Sequence, residues 1–303
     1  MLSLRDLVKV YPGSVTALQG VSLELGEGMF GLLGPNGAGK STLMKIVAGL
    51  LEPTSGSVSL DGVEVTARPE WMRERLGYLP QEFGFYGHLT GAAMLEHLLV
   101  LKGVDAPGGR RKLVGELLER VNLSAAAQRK VKGYSGGMRQ RLGIAQAIAG
   151  NPRVLVVDEP TAGLDPEERM RFYHLLAELA QERIVVLSTH IVEDVSVLCP
   201  RFAVIKAGRL VATASPSEAR AAVDGAMFEG NVEREALDEL RRSFRVTQSM
   251  LVEGRHRARI LMREGEPPAG FAPARATLED FYLALMRGFD VRGGRELAAG
   301  SAR

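Results

Sequence analysis

The chain has 303 residues, 46% of them hydrophobic, a formal net charge of +2 and one cysteine, Cys199. That length allows one large domain, or one with a small appendage, and the apolar fraction is enough for a sizeable core. The near-neutral balance excludes an electrostatically driven nucleic-acid binder, and a lone cysteine excludes an internal disulfide or a cysteine-rich zinc site.

At the N-terminus, Met1-Leu2-Ser3-Leu4-Arg5-Asp6 lacks the long apolar core of a secretory signal. Residues 1–28 alternate apolar and polar, as in Leu2-Ser3-Leu4-Arg5 and Val21-Ser22-Leu23-Glu24-Leu25, which predicts antiparallel strands with one wet face. The apolar run Met29-Phe30-Gly31-Leu32-Leu33 then enters Gly34-Pro35-Asn36-Gly37-Ala38-Gly39-Lys40-Ser41-Thr42, and Leu43-Met44-Lys45-Ile46-Val47-Ala48 follows with helix-compatible composition. Every fixed position of the phosphate-binding pattern G-x-x-x-x-G-K-[ST] is matched, in the strand–loop–helix order it needs. Glycines let the backbone wrap a polyphosphate so that successive N–H groups point at its oxygens. The helix beginning near Lys40 adds its positive dipole end. Lys40 is expected to reach the β- and γ-phosphates, and the Ser41 hydroxyl to ligate Mg²⁺. The chain is therefore expected to bind a nucleoside triphosphate.

Further along, Thr54-Ser55-Gly56 with Val58-Ser59-Leu60 and Asp61-Gly62 predicts a strand ending in a hairpin turn. Leu76-Gly77-Tyr78-Leu79-Pro80 predicts a short strand running into Gln81. From Thr90 to about Gly150 the spacing becomes helical: Met94, Leu95, Leu98, Leu99 and Leu101 form one apolar set, and Leu113, Leu117, Leu118 and Val121 another. Val154-Leu155-Val156-Val157 and Ile184-Val185-Val186-Leu187 are continuously apolar, as strands covered on both faces of a parallel sheet are. The amphipathic stretch 167–180 between them completes a βαβ unit. The first of these strands delivers Asp158-Glu159 at its C-terminal edge, where open α/β sheets bind ligands. Downstream of the glycine loop, Asp158 suits the Mg²⁺ shell, through water, and Glu159 suits polarising an attacking water. Trp71 and Cys199 read as structural. Composition shifts at 212–222 and a Gly/Pro-rich stretch at 265–273 mark softer boundaries. Beyond them strands are expected at Met227-Phe228-Glu229, Val246-Thr247-Gln248 and 258–262, with a helix over 233–242.

With these motifs the chain resembles an ABC-transporter ATPase subunit over roughly residues 1–217. Tyr134-Ser135-Gly136-Gly137-Met138-Arg139-Gln140 is similar to the family's LSGGQ signature, Gln81 to the Q-loop, Ala162-Gly163-Leu164-Asp165 to the D-loop and Ser188-Thr189-His190 to the switch histidine. Tyr11 stands where the family places an aromatic ring against adenine. Tyr134 replaces the signature Leu and Met138 its Gln, while Ser135, Gly136 and Gly137 are intact, a hydroxyl and helix-start N–H groups able to hold phosphate.

The resemblance implies an α/β fold: a P-loop NTPase core with an antiparallel β-subdomain and a helical signature subdomain at about 82–150. Residues 218–303 remain as a small α+β C-terminal extension, a candidate dimer or regulatory region. It implies ATP with Mg²⁺, catalysis by Lys40, Gln81, Glu159 and His190, and metal contacts from Ser41, Gln81 and Asp158. Nucleotide contacts are expected from Tyr11, Gly34 to Thr42 and Asp165, and from Ser135, Gly136 and Gly137 of a second ATPase subunit, identical or not, in an ATP-sandwich dimer. Residues 81–103 would receive an integral membrane permease subunit, holding the chain at the cytoplasmic face of the membrane, with no nucleic-acid partner. Thr277-Leu278-Glu279-Asp280-Phe281-Tyr282-Leu283-Ala284-Leu285 resembles the terminal segment of ATPases paired with ABC-2-type exporters; the plain reading is an amphipathic capping helix. The expected function is ATP hydrolysis powering such an exporter. The alternative is a soluble ATP-dependent switch without a membrane partner.

Overall fold

Alternation of apolar and polar side chains organises the first third of the chain. In the computed structural model, which describes residues 1–291 other than Phe83, Asp105 and Ala162, β1 (Leu2–Tyr11) and β2 (Val15–Leu25) pair antiparallel. Phe83 of the aromatic run after Gln81 and Ala162 of the D-loop therefore lie outside the described residues. Leu2, Leu4, Leu7, Leu18 and Val21 are buried between this sheet and the next layer. The chain then runs through β3 (Gly28–Leu33), α1 (Lys40–Val47), β4 (Ser55–Leu60) and β5 (Val63–Glu64). β4 pairs with β1, and its hairpin to β5 turns on Asp61 (φ 48°) and Gly62 (φ 83°), the two left-handed residues that a tight hairpin needs.

After α2 (Pro69–Arg75) and β6 (Leu76–Leu79) comes a helical layer of α3 (Gly91–Leu101), α4 (Arg110–Arg120) and α5 (Gly136–Ile148). Met94, Leu95 and Leu99 are buried as expected, but Leu101 is 70% exposed. It is the last residue of α3, where no neighbouring turn covers it. The chain returns through β7 (Val154–Asp158), α6 (Pro166–Leu179), β8 (Ile184–Thr189), α7 (Val192–Leu198), β9 (Arg201–Lys206), β10 (Arg209–Ala214) and α8 (Pro216–Ala221). The central sheet has the order β10-β9-β3-β8-β7-β6, parallel except for β10. Every residue of β7 and β8 is buried, which is why both run apolar from Val154 to Val157 and from Ile184 to Leu187, with polar residues (Asp158, Ser188, Thr189) only at their C-terminal ends. Leu155, Val157, Val185 and Leu187 face the helical layer, whereas Val154, Val156 and Val186 face α1 and the β1–β2 sheet.

The last part comprises β11 (Met227–Val232), α9 (Leu237–Ser243), β12 (Arg245–Val252), β13 (Arg255–Leu261), β14 (Phe271–Pro273) and α10 (Leu278–Met286). Its strands form an antiparallel sheet of order β12-β13-β11-β14. The helix expected over 233–242 opens as a 3₁₀ turn at Arg234–Ala236 and becomes α only from Leu237. The segment expected to be helical is α10, and Thr277 and Asp280 form a reciprocal capping box at its head. Asp280 also receives Arg259 of β13 at 2.8 Å, and Phe281 packs edge-on against Phe202 of β9 at 6.5 Å. One apolar cluster thus runs from β9 and β10 through α8 into α10. Among the described residues no helix is long and apolar enough to cross a membrane.

Candidate nucleotide site

β3 is the middle strand from which the glycine loop leaves, with β8 and β9 hydrogen-bonded on either side. Close packing dictates glycine at two positions. A Cβ on Gly34 would come within 2.5 Å of the Ile205 carbonyl oxygen, and one on Gly39 (φ 105°) within 2.5 Å of the Ala17 carbonyl oxygen. Gly37 differs: its φ is 77° but a Cβ there meets nothing within 4 Å, so this stretch of backbone faces open space that a ligand can fill. α1 starts at Lys40, whose side chain is 4% exposed and folds back on the loop. Its ammonium donates to the carbonyls of Gly34 (2.8 Å) and Pro35 (3.2 Å) and lies 3.1 Å from Glu159 Oε1.

Glu159 is the hub. It follows β7 with a left-handed backbone (φ 48°), held by its N–H donating to the Ser188 carbonyl at 2.9 Å. Its carboxylate is 6% exposed and turns Oε1 to Lys40 and Oε2 to both His190 Nδ1 (3.0 Å) and Gln81 Nε2 (3.4 Å). Lys40, Gln81 and His190, from three separate elements, thus converge on one carboxylate. Asp158, beside it, is 2% exposed and its Oδ1 has no hydrogen-bond partner. A buried carboxylate oxygen left unpaired is costly, so this atom fits a cation or its water shell. Burial, reinforced by the charge of Asp158, pushes the nearby Tyr78 phenol up to about 12. Tyr11 stands at the rim of α1, its hydroxyl 3.3 Å from Thr42 Oγ1 and the Lys9 ammonium 5.5 Å from its ring centre.

A second group forms around the head of α5. Ser135 is the N-cap, its Oγ accepting from the Met138 N–H at 3.1 Å, and Gly136 and Gly137 open the helix. Gly137 packs on Glu168 so tightly that a Cβ would lie 2.3 Å from Oε2. Glu168 belongs to the first turn of α6, where its N–H donates to the N-cap Asp165 at 2.8 Å. Arg141 NH2, one turn along α5, lies 3.3 Å from the same glutamate. Gly137 and Asp165 are therefore joined through Glu168, with Ser135 and Gly136 next to Gly137 in the chain, while Lys40, Gln81, Glu159 and His190 converge in another cluster.

The sequence pattern of the family described as "ABC transporter" matches residues 18–162. The uncharacterized ABC transporter ATP-binding protein YxlF of Bacillus subtilis (strain 168) is 39% identical over 211 residues, 69% of this chain and 69% of that protein. The chain belongs to the ABC transporter family. The Nod factor export ATP-binding protein I of Burkholderia orbicola (strain AU 1054) is 39% identical over 220 residues, 71% of each chain. Among solved structures, the dimeric ATP-binding cassette MJ0796 in a post-hydrolysis state with ADP and Pi superimposes with a TM-score of 0.64 at 29% identity, covering 71% of this chain and 98% of that one. This ABC cassette is accordingly an ATP-binding ATPase subunit of a transporter, with the P-loop NTPase fold of its structural neighbours.

The signature departure at Tyr134 has a structural explanation in this ABC cassette. The ring is 5% exposed, and its hydroxyl donates to the Ala126 carbonyl at 2.8 Å. The space for it exists because residue 91 has no side chain: a Cβ on Gly91 would fall 1.9 Å from the phenol oxygen. Tyr134 and Gly91 therefore form a matched pair between the signature loop and the head of α3. Gly91→Ala is expected to overpack this contact and destabilise the protein by about 1–3 kcal/mol, read as a lower denaturation midpoint, and Gly91→Ala/Tyr134→Phe to recover part of the loss.

Proposed function

We propose that this cassette is one of two ATPase subunits, identical or not, that sandwich ATP and power export through separate permease subunits at the cytoplasmic face of a membrane. The observation that carries the reading is the convergence of Lys40, Gln81 and His190 on Glu159 beside the open glycine loop. In this reading the N–H groups from Gly34 to Thr42 cradle the phosphates and Tyr11 stacks on adenine. Ser41, Gln81 and Asp158 would hold Mg²⁺, which would supply charge neutralisation to the triphosphate. Incoming γ-phosphate takes over the Lys40 ammonium, releasing Glu159 to orient the attacking water while His190 steadies the γ-phosphate. Ser135, Gly136 and Gly137 of the partner subunit close the site through helix-start N–H groups, with Asp165 bordering it. Residues 1–217 act as the nucleotide-binding domain, and 218–303 as an appended α+β unit serving dimerisation or regulation.

Export is favoured by the relative named for Nod factor export and by the acidic-aromatic helix α10. Docking on a permease is favoured by exposed apolar side chains within residues 81–103, where Tyr86, Val100 and Leu101 are 56%, 49% and 70% exposed. The test is purification of the Glu159→Gln form with ATP from native membranes in mild detergent. A polytopic membrane protein in stoichiometric amount is the expected result. Recovery of soluble dimer alone, with ATP trapped, would favour a cytosolic ATP-driven switch.

A further inference from the structure

Behind the catalytic hub lies a buried carboxylate that the reading above does not use. Asp194, in the first turn of α7, is 0% exposed. Its side chain does not cap its own helix. Instead Oδ2 accepts hydrogen bonds from the hydroxyls of Thr161 (2.6 Å) and Thr189 (2.7 Å), and Oδ1 accepts one from the Tyr173 hydroxyl of α6. Thr161, Thr189 and Tyr173 are themselves 1%, 1% and 4% exposed. Among the described residues no lysine or arginine forms an ion pair with Asp194, and its side-chain hydrogen-bond partners are neutral hydroxyls. Such a carboxylate is a poor choice for stability, because well-packed apolar side chains of the same volume serve a core at least as well. What it provides is geometric specification: hydroxyl donors fixed about one acceptor.

The two residues on Oδ2 are the informative ones. Thr161 comes two positions after Glu159, and Thr189 comes immediately before His190. On the other side of the same junction, the Glu159 N–H is tied to the Ser188 carbonyl at 2.9 Å. The segments bearing Glu159 and His190 are thus pinned to each other twice, once through main chain and once through Asp194. The left-handed backbone at Glu159 (φ 48°) lies between these two fixings, and such strain persists only where the surroundings over-determine it. The third hydroxyl, on Tyr173, anchors the clamp to the helix that Asp165 begins.

We infer that Asp194 is a positioning residue for ATP hydrolysis: through Thr161 and Thr189 it sets the placement of the Glu159 carboxylate relative to His190, without touching the nucleotide. The inference rests on Glu159 orienting the attacking water.

The test is a double-mutant cycle of Thr161→Val, which deletes one clamp hydroxyl at constant volume, with Glu159→Gln. Steady-state ATPase kinetics and thermal unfolding are measured on all four proteins. A misplacement of about 1 Å in a reacting constellation can cost on the order of 10²-fold in rate, so Thr161→Val alone is expected to lower kcat by about 10- to 100-fold with KM for ATP nearly constant. In the Glu159→Gln background the same change is expected to lower kcat less than about twofold, because the group it positions is already gone. An equal loss in both backgrounds, or a lower unfolding temperature with unaltered kcat, would overturn the clamp. Near-normal turnover by Glu159→Gln alone would instead overturn the role of Glu159 on which it stands. Asp194→Asn provides a second entry to the same cycle, with the same non-additivity expected.

Discussion

Glu159→Gln is expected to lower kcat by about 10²–10⁴-fold, the range for a positioned acid–base group, and at the same time to tighten ATP binding at least about threefold. The two effects have one origin. The Glu159 carboxylate, 6% exposed, lies 3.1 Å from the Lys40 ammonium, which is 4% exposed. A γ-phosphate entering the glycine loop needs that ammonium and meets the negative charge already beside it. Even at an effective dielectric of about 20, unit charges 4 Å apart interact by about 4 kcal/mol, so removing this repulsion is a sizeable gain. The amide keeps the shape, and Lys40 keeps its bonds to the Gly34 and Pro35 carbonyls. The variant loses the capacity to draw charge onto a water, the role proposed for Glu159. Calorimetric titration with ATP and steady-state ATPase assays on the same preparation check both halves. Weaker ATP binding would contradict the competition for Lys40, and near-normal turnover would move the water-orienting role to another group.

Much of this architecture is legible in the sequence where one residue type answers to one constraint. β7 and β8 are readable because burial on both faces keeps them apolar up to their C-terminal ends, where Asp158, Ser188 and Thr189 enter. The glycine loop is readable because Ile205 and Ala17 carbonyls exclude a Cβ at Gly34 and Gly39. Convergence is harder to read. Arg141 and Glu168 look like ordinary charged positions of amphipathic helices, yet they meet at 3.3 Å with side chains 8% and 15% exposed. Asp194 looks like an acidic residue favouring the start of a short helix, and only the fold brings Thr161, Thr189 and Tyr173 around it. Periodicity also fixes the face of a helix better than its end, which is why Leu101 joins the apolar set by spacing and yet lies in water. The return of α10 onto β9 through Phe281 and Phe202 has no local signal at all, since the partners are far apart in the chain.

Ser135→Arg and Lys40→Ala are expected to be inactive separately and active together. Ser135 caps α5, and replacing a capping residue costs only about 1 kcal/mol, so the fold should survive. The change nonetheless puts a long cation where a phosphate-binding helix start should stand. ATP affinity of the single chain should remain within about twofold, because Lys40 and the glycine loop are untouched, while kcat falls by about 10²-fold or more, as for a lost transition-state donor. Lys40→Ala removes the ammonium but leaves the signature intact. If each site takes its glycine loop from one chain and its signature from the other, a mixed dimer has one site with both parts whole and one with both parts broken. An equimolar mixture would then recover about a quarter of wild-type activity, since half of randomly paired two-fold dimers are mixed and each carries one working site. A site completed within a single chain cannot be rescued in this way, because no molecule in the mixture carries both intact parts. Activity of the mixture measured against that of each component therefore separates the shared site from the private one, without a membrane partner or a transported substrate in the assay.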